Sequence, residues 1–419
     1  YDLPENFMAP YTADTIQEFE RWLNKKYKTG KHPITVYMIP TTRDKLLTKL
    51  IEGKADIAAG NLSITAERDA LVDFSQPLTS SVSEVVVTGP SSPPLSTLDD
   101  LAGKDVHVRP SSSYHESLKR QNALFRKAGK PEMKLHLVPD ALEDEDMMDM
   151  VAAGILGIIV VDDWKAKLWE GLLKNLHVHD SIKVSDGGRI GWAFREKSPE
   201  LAAVVNDYLA AAQKSMSVST RLAAYQKRFK ALKNPTADSD WKRFEQSLQF
   251  FKVYGERYQF DYLMVTAQGF QESGLNQNAK SQVGAVGIMQ IMPATGKELG
   301  VGDIHQAEAN VHGGIKYMRK LIDTYFDDAD FDETNRTLFA FAAYNAGPGR
   351  IAALRKEAEE EGLDPDKWFN NVELIAAKRV GQETVGYVRN IYKYYAAYKL
   401  QLETLEVRKA ALQETTGAK

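Results

Sequence analysis

The feature that most constrains this chain is a change of pattern partway along it. In the first half, short β-rich runs at residues 34–39, 85–88, 106–108, 135–138 and 158–161 alternate with amphipathic helical stretches such as 13–26 and 42–52. That alternation predicts an α/β architecture. From about Ser198 onward strand signals nearly vanish and long helical patterns take over. The polar stretch at 233–240 separates the two patterns, so the expectation is an α/β domain over 1–235 and a mainly helical one over 236–400, followed by a helical tail at 401–419. Within the first, the segments 89–96 and 185–189 are rich in residues that stop both helix and strand. They read as two chain crossings between a lobe of about 1–88 plus 190–235 and a lobe of about 89–189, a body able to close about a hinge.

Composition narrows the function classes. Hydrophobic residues make up 43% and charged residues 26%, which excludes wholesale disorder. A net charge of −4 offers no excess to drive nucleic-acid binding. The longest apolar stretch, 155–161, is far short of the roughly 20 residues that cross a bilayer. No signal peptide heads the sequence, so any export signal or membrane anchor is expected to have been removed or left out. Cysteine is absent, which excludes disulfides, thiolate zinc sites, a cysteine nucleophile and a lipidated cysteine on this chain. Residues 140–149 carry six acids, read as the solvated first turn of a helix complementing its dipole. His177 and His179, in the run His177-Val-His179-Asp180, fall on one strand face as a possible metal pair but lack a third ligand nearby, and His305, Glu308 and His312 lack helical zinc spacing, so neither metal nor cofactor is expected. There is no phosphate loop and no Ser–His–Asp constellation.

The residues 261–274 read as a mostly apolar, buried helix, with Asp261 capping its start and Gly274 suited to the left-handed stop after its end. Glu272 then falls in the last turn, where the negative end of the dipole disfavours a carboxylate. An acid there, beside apolar residues, has its pKa raised and can hold a proton near neutral pH. No acid follows between Ser273 and Lys297; Asn276, Ser281, Gln282 and Gln290 stand instead among small residues. Glycines that let backbone approach a ligand, mixed with neutral hydrogen-bonding side chains, fit an uncharged polyhydroxyl substrate. Most glycosidases use two carboxylates, whereas here one acid stands locally alone.

Glu272-Ser273, Gly287-Ile-Met-Gln290 leading into Met292-Pro-Ala-Thr295, Ala343-Tyr-Asn-Ala-Gly-Pro-Gly349 and Glu383-Thr-Val-Gly-Tyr-Val388 occur in the order seen in family 1 lytic transglycosylases. The helical half resembles that family, whose fold is similar to goose-type lysozyme. The resemblance implies cleavage of the β-1,4 bond between N-acetylmuramic acid and N-acetylglucosamine in the glycan strands of peptidoglycan, with a 1,6-anhydromuramyl product. It implies that Glu272 is the acid and then the base, with the substrate's N-acetyl group stabilising the intermediate. Ser281 matches the family serine near that group. Met289, Gln290, Tyr344 and Asn345 match residues lining the cleft, and Glu383 and Tyr387 match the last motif. Tyr387 also forms a helical stripe with Ile391, Tyr394 and Tyr398, a pattern equally suited to core packing. A hydrolytic muramidase, or a receptor with an inactive lysozyme-like domain, are the rival readings.

The segment 42–75, with Asp99-Asp-Leu-Ala-Gly-Lys-Asp-Val106 and Val160-Val-Asp162, resembles the solute-binding proteins of amino-acid transporters. The resemblance implies a two-lobed periplasmic fold in which Arg68 pairs with a ligand carboxylate, a role suited to its planar fork. Ser63, Ser112 and Ser113 align with hydroxyl or backbone contacts, and Asp162 with the acid that holds an amino group. That family opens with a strand, and residues 1–10 show little strand character, so the first strand is expected to be missing or altered. Together the two resemblances imply a Gram-negative periplasmic enzyme. Its first module would bind a muropeptide or stem peptide and control the second. Peripheral association with the outer membrane would run through sequence absent here.

Overall fold

The computed structural model describes residues 8–37, 39, 41, 43–78, 81–212 and 232–416. The chain folds as two compact units, Tyr1–Ala231 and Leu232–Lys419. No helix among the described residues is long and apolar enough to cross a membrane.

The first unit opens with α1 (Met8–Tyr27), so residues 8–10 begin a helix, while 1–7 lie outside the described residues. Phe19 and Leu23 of α1 are buried against Trp192, Phe194 and Tyr208. The strand expected at 34–39 is not formed at 34–37 or 39, and Met38 lies outside the described residues. The N–H groups a ladder would use go elsewhere. Ile34 N donates to Asn24 Oδ1 (2.7 Å) and Val36 N to Glu20 Oε2 (2.6 Å), both side chains of α1.

After α2 (Arg43–Ile51) come β1 (Ile57–Ser63), α3 (Ala66–Asp69), β2 (Asp73–Phe74) and β3 (Val82–Thr88). Next are β4 (Asp105–Val108), α4 (Ser113–Lys127), β5 (Lys134–Leu137), α5 (Asp144–Ala152), β6 (Ile158–Asp162) and α6 (Asp163–Glu170). The described part of the unit closes with β7 (His177–Gly188), β8 (Ile190–Phe194) and α7 (Pro199–Ala212). One antiparallel sheet has the order β1-β8-β2 and a second β6-β3-β7, while β4 and β5 pair in parallel across α4.

The sheet order corrects the first expected crossing. Every residue of β3 is buried, and the strand pairs with β6 on one side and β7 on the other. The chain is therefore in this sheet from Val82, ahead of the breaker-rich segment at 89–96. A strand buried along its whole length needs partners along both edges, and only the neighbouring strands say which sheet supplies them. The segment 185–189 belongs largely to the end of β7, and the chain passes to the other sheet at Arg189.

The acidic run also differs from its solvated reading. It does begin a helix, with Asp146 accepting from the Glu143 N–H in a capping box. Yet Asp144, Glu145, Asp146 and Asp149 are buried. Asp144 receives hydrogen bonds from both Arg109 and Lys165, themselves buried, and Arg109 Nη1 reaches Glu143 at 3.1 Å. Buried counter-charges replace water as the partners of Asp144 and Glu143.

The second unit is helical: α8 (Asp238–Tyr258), α9 (Tyr262–Ser273), α10 (Pro293–Leu299), α11 (Ala307–Tyr325), α12 (Glu333–Ala346), α13 (Pro348–Glu360), α14 (Glu373–Arg379) and α15 (Gln382–Thr416). Helix α9 is the centre of this unit. Asp261 Oδ1 accepts from Leu263 N (2.7 Å) and Met264 N (3.2 Å), and Gly274 ends the helix at φ +65°. Leu263–Phe270 are buried throughout. Helix α15 lies along α9, where Tyr394 meets Phe270 edge-on and Tyr398 stacks on Phe244 of α8. The stripe of Tyr387, Ile391, Tyr394 and Tyr398 is buried, so it is core along most of its length.

Candidate active site and ligand pocket

Helix α9 carries Glu272 to its C-terminal turn, half-buried beside the first turns of α15. The upper end of the tyrosine stripe reaches it there. Tyr387 Oη donates to Glu272 Oε1 at 2.5 Å. Burial raises the Glu272 pKa, and the Tyr387 hydrogen bond opposes that rise without cancelling it. Tyr344 of α12 is the other phenol in the site. Burial holds its hydroxyl well above its ordinary value, and the Glu272 charge adds to the effect. Tyr387 therefore belongs to core and site at once. The side chains hydrogen-bonded to or charge-coupled with Glu272 are neutral phenols, and a carboxyl whose pKa is raised among them is equipped to give a proton.

The loop after α9 is built by backbone and buried amides. Lys280 pairs with Val286 and Val286 with Ile291, forming a tight hairpin. Ser281 lies in it, its hydroxyl accepting from Ala285 N (2.9 Å) and its N–H donating to Ala285 O (2.9 Å). Gln290 takes φ +47°, and its amide donates to Gly287 O (2.8 Å). Met289 is fully buried against Gly314, so its side chain packs the interior and its carbonyl is what it offers. That carbonyl accepts from Tyr344 Oη at 2.7 Å, tying α12 to the loop. Asn345 is exposed and its Oδ1 accepts from Thr384 Oγ1 (2.9 Å), joining α12 to α15. Glu383 is exposed in the first turn of α15.

Two functional supports escape the motif reading. Asn310 of α11, fully buried, accepts from Met289 N (2.8 Å) and donates to Val286 O (2.8 Å) and Ile304 O (3.0 Å). Gln268, also fully buried, donates to Tyr387 Oη at 3.2 Å. Each had one signal available in the sequence, a polar residue on an otherwise apolar helix face.

In the first unit, Ser63, Arg68, Ser112, Ser113 and Asp162 all line one pocket of about 270 Å³. Their groups are already engaged. Arg68 Nε donates to Glu116 Oε1 and Nη2 to Ser111 O, both at 3.3 Å. Ser113 Oγ donates to Ser63 Oγ at 3.0 Å. Ser112 caps α4, accepting from His115 N (3.2 Å) and donating to Arg109 O (2.8 Å). Asp162 is buried with Lys165 Nζ 3.8 Å away. Arg109, Tyr114, Asp144 and Lys165 also line the pocket, and the sequence reading missed them. Burial opposes the Arg109 charge, but Asp144 and Glu143 raise its pKa further than burial lowers it.

Three of the histidines weighed as metal ligands have other hydrogen-bond partners. His179 Nε2 meets Thr88 Oγ1 (2.8 Å), His305 meets Asp303 (2.8 Å) and His312 meets Tyr258 (2.8 Å).

Fold and site thus define a protein of two kinds of unit, an α/β unit with a polar, charge-lined pocket and a helical unit with a half-buried acid at a helix end. Residues 11–229, more than half of the 419, match the bacterial extracellular solute-binding proteins, family 3, and the chain belongs to that family. Residues 249–367 match the Transglycosylase SLT domain, which holds Glu272 and ends short of Tyr387. The chain is similar to a protein named membrane-bound lytic murein transglycosylase F from Desulfosudis oleivorans, 28% identical over 378 residues, covering 85% of this chain and 80% of that one. A protein of the same name from Idiomarina loihiensis is 26% identical over 406 residues, covering 93% and 87%. Among solved structures, an ancestral arginine-binding protein bound to arginine matches with a TM-score of 0.37 at 23% identity, covering 51% of this chain and 88% of that one.

Proposed function

We propose that this lytic transglycosylase, a lyase of peptidoglycan, cleaves the bond between N-acetylmuramic acid and N-acetylglucosamine with Glu272 as its single acid and base. The observation that carries the reading is a carboxyl whose pKa is raised by burial at the end of α9 and which is held by Tyr387 at 2.5 Å. Protonated Glu272 gives its proton to the glycosidic oxygen as the bond from that oxygen to C1 breaks. The carboxylate then takes the proton of the same sugar's C6 hydroxyl, whose oxygen bonds to C1 and closes a 1,6-anhydro ring. Water enters neither step, and Glu272 ends protonated as it began. The substrate's N-acetyl group supports the positive charge at C1, with Ser281 beside it; Gln290, Asn345 and Glu383 bind the glycan, and Tyr344 and the Met289 carbonyl hold the wall against which it lies.

The first unit is proposed to be periplasmic and to bind a stem peptide or muropeptide whose carboxylate takes Arg68 from Glu116 and whose ammonium meets Asp162, with Ser63 and Ser113 alongside. Binding then sets the activity of the second unit. Outer-membrane association is part of the same proposal.

Mass spectrometry of peptidoglycan digested by the full chain tests both parts. Anhydromuramyl ends are expected from the wild type, and Glu272→Gln should lower turnover by at least about a thousandfold. Reducing ends would instead make the enzyme a hydrolase, and activity surviving in Glu272→Gln would assign the acid elsewhere. A change of rate on adding muropeptide is expected for the wild type and absent in Arg68→Ala; equal responses would remove Arg68 from the pocket's function.

A further inference from the structure

We propose that Gln268 is a positioning residue for the catalytic acid: its amide donates into the Tyr387 hydroxyl, fixing that hydroxyl's own proton on Glu272 Oε1 and leaving the acid's exchangeable proton on Oε2. The inference rests on Glu272 being the acid of the reaction proposed above.

Gln268 lies four residues before Glu272, one turn back along α9. Its side chain is fully buried, and Nε2 stands 3.2 Å from Tyr387 Oη, which in turn stands 2.5 Å from Glu272 Oε1. A phenol has one proton, and here it is directed at the carboxyl. The amide nitrogen carries only protons, so toward Tyr387 it can only donate. With the amide reversed, its carbonyl oxygen would face a hydroxyl whose proton is already committed to Glu272. In this arrangement the network runs from Gln268 through Tyr387 to Glu272. Oε1 accepts in that chain, so the proton the acid delivers sits on Oε2. Each donation also polarises the next, which strengthens the hydrogen bond at the carboxyl.

The other end of the amide gives independent support. Gln268 Oε1 is buried with no hydrogen-bond partner among the described residues. Such an oxygen costs about 1–3 kcal/mol. Its helix neighbours Val265, Ala267 and Phe270 are buried and apolar, and methionine, of the same length, would fill the position without that cost. Packing alone does not call for an amide here; the donor aimed at Tyr387 does.

Among the described residues, the titratable groups coupled to Glu272 are Tyr387 from α15 and Tyr344 from α12. Both are kept protonated by burial, so Glu272 is the group whose titration sets the alkaline limb of the rate profile. The Tyr387 hydrogen bond favours the ionised carboxylate. Weakening it lets the acid form persist to higher pH.

The experiment uses the full chain on purified peptidoglycan, with kcat, KM and the pH profile measured for Gln268→Met, Tyr387→Phe, the double variant and Glu272→Gln. Gln268→Met is expected to lower kcat about three- to tenfold, the worth of one neutral hydrogen bond, with KM unchanged. Its alkaline limb should move to higher pH and its melting temperature should not fall. In the Tyr387→Phe background the same replacement should have no further effect. A wild-type kcat and profile in Gln268→Met, with Glu272→Gln inactive, would overturn the proposal. So would equal losses in both backgrounds, since Gln268 would then act independently of Tyr387. Activity in Glu272→Gln would be the separate failure of the acid assignment. If neither Gln268→Met nor Gln268→Leu folds, Gln268 is a core residue and the proposal falls.

Discussion

At Gly287 the backbone takes φ +80°, and a Cβ there would stand 2.4 Å from Asn310 Nδ2 and 2.7 Å from Gln277 Nε2. Those amides hold the loop that carries Met289 and Gln290, so the glycine is required by space as well as by conformation. Gly287→Ala should destabilise the second unit by roughly 3 kcal/mol, combining left-handed strain with disturbed buried hydrogen bonds. Gly284 has φ +94° but open space around it. Gly284→Ala should therefore cost only about 1 kcal/mol, and urea unfolding of the two variants makes the comparison. The motif Gly287-Ile-Met-Gln290 was legible in the sequence. The reason for its glycine was not, because Asn310 and Gln277 approach it from other parts of the chain.

The best-read element is α9. Its cap, its apolar length and its left-handed stop are local properties, and each falls where the residues place it. Asp261→Ala removes the acceptor for Leu263 N and Met264 N. A loss of about 1 kcal/mol is expected, with most of it kept in Asp261→Asn, again by urea unfolding. A larger loss would mean that the cap also anchors the packing of α9. The acidic run of α5 teaches the opposite lesson. Composition located the helix start, but exposure depends on what covers the first turn, and Arg109 and Lys165 come from elsewhere in the fold. Likewise, α1 takes the backbone donors at Ile34 and Val36 that a sheet would have used.

At the scale of the whole molecule, the two units can respond to pH for different reasons. Burial pushes Glu145 up to about 7 from its ordinary 4.5, Lys165 drawing it down and Asp144 and Glu143 pushing it up. Between those values the folded unit holds a proton that the unfolded chain has released. Stability from this group therefore falls as pH rises from about 4.5 to about 7 and is level above. Thermal unfolding of the first unit should show a higher midpoint near about pH 5 than near about pH 8, and Glu145→Gln should shrink that difference. An unchanged difference would assign the pH response to other groups. The division into an α/β unit and a helical unit was legible because hydrophobic period is a property of neighbours in sequence. The membership of β3 was not, because pairing is a choice among distant strands.

By itself the sequence determined the two-unit plan, the helix that presents Glu272 and the family of its motifs, all of which depend on period, capping and residue order. It also named Ser63, Arg68, Ser112, Ser113 and Asp162, which come from four separate elements or their edges. Only the tertiary structure brought those residues to one pocket and set Glu116 and Lys165 against their charges. Only the packing of α15 on α9 turned one tyrosine of a core stripe into the partner of the acid. The reason is the range of the forces involved. Local patterns are written between residues a few positions apart, whereas a raised carboxyl pKa and its hydrogen-bond partner are set by whatever chain excludes water from it.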